Sequence, residues 1–374
     1  MRIALFSSFS PESGASSVPL RDHLEQMPGL DVHWYYLAHQ AVNRAKSTWL
    51  GEPLTGLQVA ADLAAGAGIL PGSLARACRI VDQFQGDLFW IIGHYEGVCV
   101  AAELLKRHKP FHLTVHDHPV CMFRRSRKYR PLLPLMAYQF SKVIKGAKSV
   151  DVISSNLRDL YRREYDVDSF RVYRYVPELP NLTETARNGT MLIGHIGSVY
   201  HPEPFRVFLR ACQSYAAEKK RALKIVRIGS SPELDAVAAE NPELFERRGE
   251  LAEREAIPAL ASCDFVYAMY PDGRRFECFR RTSMPMKVST YIQAQRPIFA
   301  HTPADSGLAE VVNKSRVGVV CSSNRVAEIR KSIEELANAK IARADFEGLR
   351  QQLLGREQID QLESALSEAA FRER

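Results

Sequence analysis

Short apolar, β-forming runs alternate with longer amphipathic segments along the whole 374-residue chain. This alternation is typical of βαβ units, in which parallel strands are joined by crossover helices. In the first half of the chain it predicts strands at Arg2–Ser8, Val32–Ala38, Leu88–His94, His112–Asp117, Ser149–Ser154 and Phe170–Tyr175. We therefore expect an α/β protein built on parallel sheets.

A break in this pattern divides the chain into two series. The segment VPELPNLTETARNGT, from Val176 to Thr190, has two prolines, one glycine and no apolar periodicity, as expected of a linker. A chain of this length is also too long for one ordinary core. We predict an N-terminal Rossmann-like domain over residues 1–176, a linker over 177–190, a C-terminal Rossmann-like domain over 191–341 and a helical tail over 342–374. Two such domains should face each other across a ligand-binding cleft.

Several classes of protein are excluded. No run approaches about 18 uninterrupted apolar residues, so no membrane-spanning segment is expected. The first apolar run follows Met1 and Arg2 directly and leads into a Ser/Gly loop, which indicates a first strand and not a secretory signal, so we expect a cytoplasmic protein. The seven cysteines are scattered without any C-x-x-C pair, which predicts mainly buried reduced thiols and neither a zinc site nor a disulfide framework.

Polar side chains follow two predicted strands of the first domain. LFWIIGHYEG places His94 at one strand end, and HLTVHDHP places His116, Asp117 and His118 at the next. A histidine there can hydrogen-bond a substrate hydroxyl, although the same residues could simply cap the sheet. The residue types would suit a metal, but the H-D-H spacing matches no known ligand geometry, so no metal is expected. The loop containing Gly14 offers further N–H groups and hydroxyls.

The second domain carries strand-end turns and a basic helix start. LIGHIGSVYHPEPF places Gly197 and Ser198 after its first strand, and KIVRIGSSPEL places Arg227 at the end of the next. On position alone Arg227 could be a solvated charge as well as a phosphate ligand. In RRTSMPMKVSTYIQAQRPI, the residues Thr282, Ser283, Lys287 and Thr290 surround a helix start that would suit a diphosphate; the helix could equally serve packing alone. Neither G-x-G-x-x-G nor a P-loop motif occurs, which disfavours dinucleotide cofactors and P-loop chemistry.

The GHIGS turn, the R-x-G strand end and the S-M-P-M-K-x-x-T-Y-x-Q-A-x-R-P-I segment together resemble bacterial glycosyltransferases of the GT-B fold, closest to the retaining family-four group. The resemblance implies that the second domain holds a nucleotide-sugar donor and the first a glycan, lipid-linked or small-molecule acceptor, as in polysaccharide biosynthesis, with no cofactor or metal. It implies that His116 faces the sugar and that Glu250 and Leu251 read the base. The implied nucleotide and diphosphate ligands are Gly197, Ser198, Arg227, Thr282, Ser283, Lys287 and Thr290.

One departure from that family pattern concerns carboxylates. Most family-four enzymes carry two glutamates eight positions apart, and the corresponding positions here are Thr282 and Thr290. A hydroxyl hydrogen-bonds a sugar without the charge assistance of a carboxylate. A catalytically silent scaffold or glycan-binding protein therefore stays an alternative, as does a nucleotide-sugar epimerase, which would need paired carboxylates near the sugar. The D-V-D at Asp166–Asp168 lies in a helix-to-strand connection and indicates a turn.

The formal net charge of +7 is concentrated in one segment. Between Cys121 and Arg163 there are eleven Lys or Arg against two acids. This patch, which includes Arg124, Arg125, Arg127, Lys128 and Arg130, could contact an anionic membrane surface peripherally, hold a phosphorylated acceptor or be merely solvated. Nucleic acid is not expected as a partner, because zinc, RNP-like and helix-turn-helix patterns are all missing.

Overall fold

The computed structural model describes residues 1–12, 16–68, 70–182 and 189–371. The chain divides into two compact units: Met1–Tyr175 with Gly355–Arg374 form the first, and Val176–Leu354 form the second. Each unit has one parallel sheet with helices packed on it. The expected architecture of two Rossmann-like α/β domains is confirmed.

The first unit begins and ends in the same core. Its strands are β1 Arg2–Ser7, β2 Asp31–Leu37, β3 Ser47–Gly51, β4 Leu88–Ile92, β5 Phe111–Val115, β6 Ser149–Val152 and β7 Phe170–Arg171. Its helices are α1 Ser17–Gln26, α2 Gly56–Ala65, α3 Ser73–Gln83, α4 Tyr95–Lys106, α5 Pro119–Arg125, a 3-10 turn Arg130–Leu132, α6 Leu133–Gly146, α7 Ser155–Tyr165 and, from the end of the chain, α16 Glu357–Phe371.

The strand order of this sheet is β3-β2-β1-β4-β5-β6-β7. The order reverses between β1 and β4, so the loops that leave these two strands turn to opposite sides of the sheet. Such a switch point opens a crevice at the carboxyl ends of the strands. Phe9 after β1 and His94 after β4 lie at this position, with their rings 5.5 Å apart.

Helix α16 completes the core of the first unit. Its apolar residues recur at Ile359, Leu362, Leu366 and Ala369, one face of a helix, and pack with the buried β1 and β4 side chains. Helix α15 Arg343–Leu354 instead belongs to the second unit. The predicted tail over 342–374 is therefore not a separate region, because its two apolar helix faces are buried in different units.

The second unit has strands β8 Thr190–Ile196, β9 Ala222–Ile228, β10 Phe245–Arg247, β11 Phe265–Met269, β12 Ile298–His301 and β13 Gly318–Cys321, in the order β10-β9-β8-β11-β12-β13. Its helices are α8 Pro202–Glu218, α9 Pro232–Glu240, a 3-10 turn Pro242–Leu244, α10 Glu253–Ala261, α11 Arg274–Thr282, α12 Lys287–Ala294, α13 Gly307–Ser315, α14 Val326–Asn338 and α15. An aromatic cluster fills its core; the ring centres of Phe208 and Tyr267 are 4.3 Å apart. Here the switch point lies between β8 and β11.

The start of the predicted linker is attached to the second unit. The backbone N–H of Val176 donates to the Leu354 carbonyl, and Arg350 donates to the carbonyl of Val176. The amide of Gln295 donates to the carbonyl of Pro180 at 2.7 Å. Residues 183–188 lie outside the described part of the chain.

The structure bears on two expectations from the sequence, that the cysteines are reduced and that no segment spans a membrane. Five cysteines are free and buried: Cys78, Cys99, Cys212, Cys263 and Cys321. Cys121 and Cys278 are not free thiols, so the expectation of reduced cysteines holds at five positions and fails at these two. Among the described residues, no helix combines the length and the apolar character needed to cross a membrane.

Candidate functional site

Two glycine turns shape the carboxyl edge of the second sheet. Gly197 follows β8 with φ +74°, and Gly229 follows β9 with φ +82°. A Cβ at Gly229 would lie 3.4 Å from the Gly197 nitrogen, whereas a Cβ at Gly197 would meet nothing within 4 Å. Glycine suits both positions because the left-handed backbone carries no side-chain penalty there. The Gly197 turn therefore presents open backbone at the strand end, where a ligand can approach closely.

A buried histidine holds the Gly197 turn. The His195 ring has Nδ1 3.1 Å from the Tyr267 carbonyl oxygen and Nε2 3.1 Å from the Gly197 carbonyl oxygen. Burial keeps the pKa of His195 well below its usual value, so the imidazole is neutral and its single N–H donates to one of these two carbonyls at a time. The hydroxyl of Tyr291 donates to the same Tyr267 carbonyl and accepts from the Ile196 N–H. The turn is thus positioned by buried polar contacts that the sequence patterns did not reveal.

Lys287 is the cationic group beside this turn. It is the first residue of α12, and its Nζ donates to the Ser198 carbonyl at 2.6 Å. Desolvation lowers the pKa of Lys287 to about 7. The N–H groups of Val288 and Ser289 already donate to the carbonyls of Pro285 and Met286. An anion at this helix start would therefore depend on the Lys287 ammonium more than on those two N–H groups.

A carboxylate missed in the sequence lies next to Thr290. Glu253 is the first residue of α10, and its Oε1 accepts from the Thr290 hydroxyl at 3.2 Å and from the Gln293 amide at 3.1 Å. Thr290 is one helical turn beyond Lys287, on the same side of α12. A glutamate from a different helix thus stands beside the position where the family pattern has a glutamate on α12 itself.

The predicted base-reading segment borders the same edge. The N–H of Gly229 donates to the Gly249 carbonyl at 2.6 Å, which ties the loop before α10 to the second glycine turn. Glu250 is exposed and Leu251 half-buried in this loop. The structure therefore brings the predicted residues Gly197, Ser198, Glu250, Leu251, Lys287 and Thr290 to one edge of the second unit, together with Glu253.

Arg227 has partners of its own within the sheet edge. Its side chain is buried, one terminal nitrogen donates to Asp235 at 2.6 Å and the other to the Ser231 carbonyl at 3.2 Å. This pairing holds the pKa of Asp235 below its usual value. Within the described part of the chain, the buried Arg227 Nε has no hydrogen-bond partner. To bind a phosphate, the Arg227 guanidinium would have to contact the ligand while it keeps its hydrogen bonds to Asp235 and to the Ser231 carbonyl at the start of α9.

The other predicted polar groups near α12 also have partners. Arg280 binds Asp305 through two hydrogen bonds of 2.8 and 2.9 Å, and Arg281 donates to the same carboxylate at 2.7 Å. The Thr282 hydroxyl donates to the Cys278 carbonyl at 2.7 Å, within its own helix. Ser283 is buried at the end of α11. Arg281 also pairs with Glu277 at 3.1 Å, so these two arginines are matched by two carboxylates.

In the first unit, two predicted histidines meet at the strand ends. The rings of His94 and His116 are 6.2 Å apart, after β4 and β5. Burial lowers the pKa of His116 to about 3 and also lowers that of His94, so both imidazoles are neutral. His23 on α1, which the sequence patterns did not single out, is buried, and its Nε2 has no hydrogen-bond partner among the described residues. A charge on His23 would further lower the pKa of His116. Neutral imidazoles can donate and accept hydrogen bonds with sugar hydroxyls.

His118 does not join this pair. Its Nδ1 lies 3.2 Å from the Tyr161 hydroxyl, and its ring packs on Phe140 and Tyr165. Burial lowers its pKa to about 3. His118 therefore has a packing role, and the neighbouring Asp117 is half-buried. Gly14 lies outside the described residues.

The described residues contain no group of three or more His, Cys, Asp or Glu side chains that could hold a metal ion. The basic segment after β5 is displayed on the surface: Arg124, Arg127, Lys128 and Arg130 are exposed, and Arg125 is half-buried.

Comparison with known proteins identifies the fold. No protein-family model matches the sequence, and no curated protein matches it. Solved structures do match over almost the whole length of both chains. Sucrose-phosphate synthase from Thermosynechococcus elongatus aligns with a TM-score of 0.69 at 13% identity, covering 99% of each chain. A glycosyltransferase from Rickettsia africae aligns with a TM-score of 0.65 at 12% identity, covering 100% of this chain and 99% of the other.

HepE from Anabaena, in complex with UDP, aligns with a TM-score of 0.63 at 15% identity, covering 98% of this chain and 99% of the other. A protein described as a UDP-N-acetylglucosamine 2-epimerase is among the matches as well. At these identities the similarity shows the fold, which is that of the GT-B glycosyltransferases, and does not place the chain in the retaining family-four group.

Proposed function

We propose that this protein is a glycosyltransferase that moves a sugar from a nucleotide-diphosphate donor to a glycan, lipid-linked or small-molecule acceptor, with retention of configuration and without a metal ion. The observation that carries the proposal is the edge of the second unit, where an open glycine turn, a desolvated lysine and a carboxylate converge. The UDP bound to HepE, which shares the fold, supports a nucleotide ligand.

Each part of this edge suits one part of such a donor. The open backbone at Gly197 admits the diphosphate, and the Lys287 ammonium offsets its charge. Glu253, supported by Thr290 and Gln293, accepts hydrogen bonds from the ribose hydroxyls. The loop with Glu250 and Leu251 reads the base through its backbone groups. The first unit takes the acceptor.

Catalysis in this proposal depends on charge at the leaving group. Breaking the bond between sugar and diphosphate leaves a nucleoside diphosphate anion, and the Lys287 side chain, which takes up a proton when the diphosphate binds, stabilises the charge as it develops. His116, a neutral imidazole at the end of β5, hydrogen-bonds a sugar hydroxyl and does not need to act as a charged acid.

Calorimetric titration with a panel of nucleoside diphosphates tests the donor site. We expect one of them to bind, and Lys287→Met to weaken that binding roughly 10- to 100-fold, the value of a hydrogen bond to a charged group. Lys314→Met is the control, because Lys314 pairs with Glu310 within helix α13 and contacts none of the donor-site residues named above. If no diphosphate binds, or if both variants behave alike, the donor site is wrongly assigned.

A catalytically silent scaffold is the second candidate, because threonines occupy both family glutamate positions. Slow hydrolysis of the bound nucleotide sugar without acceptor, lost in Lys287→Met, would exclude the scaffold. Formation of an epimerised sugar in the same reaction, detected by NMR, would favour an epimerase. Activity that survives EDTA would support metal independence.

A further inference from the structure

Helix α2 of the first unit is apolar on the side that it turns to solvent. Leu57 is 80% exposed. Its only strongly polar side chains are used internally: Gln58 forms a capping box with Thr55, and the buried Asp62 accepts from the Gly68 N–H at 2.9 Å. The rest of the outward surface consists of alanines at positions 60, 61, 64 and 65. An exposed helix with an apolar outer face is typical of a contact with another apolar phase.

Helix α6 lies beside α2 and adds cations to the same surface. The Gln139 amide donates to the Leu63 carbonyl at 3.1 Å, which joins the two helices. Tyr138 on α6 is 57% exposed, and the Lys142 ammonium sits 4.2 Å from its ring centre. Lys145 follows on the same side, since its position is seven residues beyond Tyr138.

The segment before α6 extends this surface to the start of α2. A Cβ added at Gly56 would meet the Lys128 side chain at 2.6 Å and the Tyr129 ring at 3.2 Å. Residues 119–148 contain eight Lys or Arg and neither Asp nor Glu. Seven of the eight are exposed and have no ion-pair partner among the described residues: Arg124, Arg127, Lys128, Arg130, Lys142, Lys145 and Lys148.

We propose that this surface, formed by α2, α6 and the segment between α5 and α6, docks on an anionic lipid bilayer. Leu57 and Tyr138 would enter the headgroup region, and the cations around them would face the lipid phosphates. Protruding apolar side chains flanked by long, unpaired basic ones are the pattern of helices that lie in a membrane interface. The inference does not rest on the proposed function, because none of these residues belongs to the donor site.

Vesicle flotation of the full-length protein tests the proposal. We expect the protein to float with phosphatidylcholine vesicles that contain about a third phosphatidylglycerol, and to stay unbound with phosphatidylcholine alone. Binding should weaken steeply with salt. Lys142→Glu with Lys145→Glu should lower the partition coefficient by roughly 30-fold or more. Leu57→Ser should lower it about tenfold, because the apolar side chain that would enter the headgroup region is exchanged for a polar one.

Two matched variants complete the design. Lys331→Glu with Lys340→Glu changes the net charge equally on exposed residues of the second unit, and Phe371→Ser removes another exposed apolar side chain. Both should float like wild type. Equal effects of the test and control pairs would overturn the proposal, as would binding that ignores anionic lipid. A concentration-dependent dimer abolished by Leu57→Ser, without flotation, would overturn it in favour of a second copy of the chain.

Discussion

Exchanging Glu253 for glutamine tests most directly whether this carboxylate binds the ribose of the donor. The substitution keeps the size of the side chain and removes its charge. The carboxylate accepts from Thr290 and Gln293, so it is already held in place before any ligand arrives. If Glu253 contacts the ribose, the bound state gains charge-assisted hydrogen bonds worth about 1.5–3 kcal/mol, against about 0.5–1.5 kcal/mol for neutral ones.

These free energies set the expected preference for a ribonucleotide over its 2′-deoxy counterpart. Wild type should bind the tightest nucleoside diphosphate roughly 10- to 100-fold more strongly than its 2′-deoxy counterpart. In Glu253→Gln the ratio should fall below about tenfold, mainly because the ribonucleotide binds less tightly. Isothermal titration calorimetry with the two ligands and the two proteins gives the coupling between carboxylate and hydroxyl as a double-mutant cycle.

The control for this experiment lies two residues away. Glu255 accepts from the Ala252 N–H at the start of the same helix, so Glu255→Gln weakens the cap of α10 without touching Thr290. Its ribose selectivity should equal that of wild type. Unchanged selectivity in Glu253→Gln, with normal affinity for the ribonucleotide, would refute the role of Glu253 while leaving the donor site itself intact.

Two further predictions concern stability. Burial lowers the pKa of His23 to about 3 from 6.5, so its contribution to folding is complete above pH 6.5 and is lost progressively as the pH falls toward 3. At pH 5 the loss is about 2 kcal/mol; His23→Leu should therefore flatten the acid side of a plot of Tm against pH, and an unchanged slope would contradict this. Gly97→Ala would drive a Cβ into the Ile92 carbonyl and should lower Tm. At Gly348, a helical position in α15, an added Cβ meets nothing within 4 Å. Gly348→Ala should therefore raise the free energy of unfolding, measured by chemical denaturation, by about 0.5–1 kcal/mol.

Much of the fold follows from local patterns in the sequence. Every strand predicted from an apolar run is found, because a strand buried on both faces needs a continuous apolar segment. Strands β3 and β10 and helices α2, α5 and α11 were missed. β3 is a short edge strand whose Trp49 is 42% exposed, and the Gly/Ala-rich sequence of α2 has no clear apolar periodicity. Helix α2 lacks an amphipathic pattern because its exposed face is apolar too. The proposed contact with a membrane accounts for that apolar face.

The site was predictable only where one segment carries it. Gly197 and Lys287 belong to motifs with a local signal, a glycine after a strand and a lysine at a helix start. Glu253 is 37 residues from Thr290, and the contact exists only because α10 packs on α12. The one local clue to Glu253 is its position as the first residue of a helix. Acidic residues are favoured at helix starts whatever their function, so this clue does not single it out. His23 lies in the last turn of α1, where a basic residue is common, and the burial that matters for it depends on packing that the local sequence does not show.

The charges of the second unit point to one last expectation. Arg227 is matched by Asp235 and Arg280 by Asp305, but the Lys287 contact found in the structure is to a neutral carbonyl, and its pKa falls to about 7. At pH 7.5 it is then only about one quarter protonated. A bound diphosphate raises the pKa of this ammonium again, so binding should take up a proton, up to a limit of about 0.7 proton per site.

Titration calorimetry in two buffers of different ionisation enthalpy measures this uptake. The observed binding enthalpy should change with the buffer in wild type and much less in Lys287→Met, whose residual change reports the ligand's own phosphate. Affinity should also decline from pH 7 to pH 9 in wild type alone, because above its free pKa the lysine must first bind a proton. Equal proton uptake in both proteins would mean that the diphosphate binds away from Lys287, and the charge argument for this edge of the sheet would fail with it.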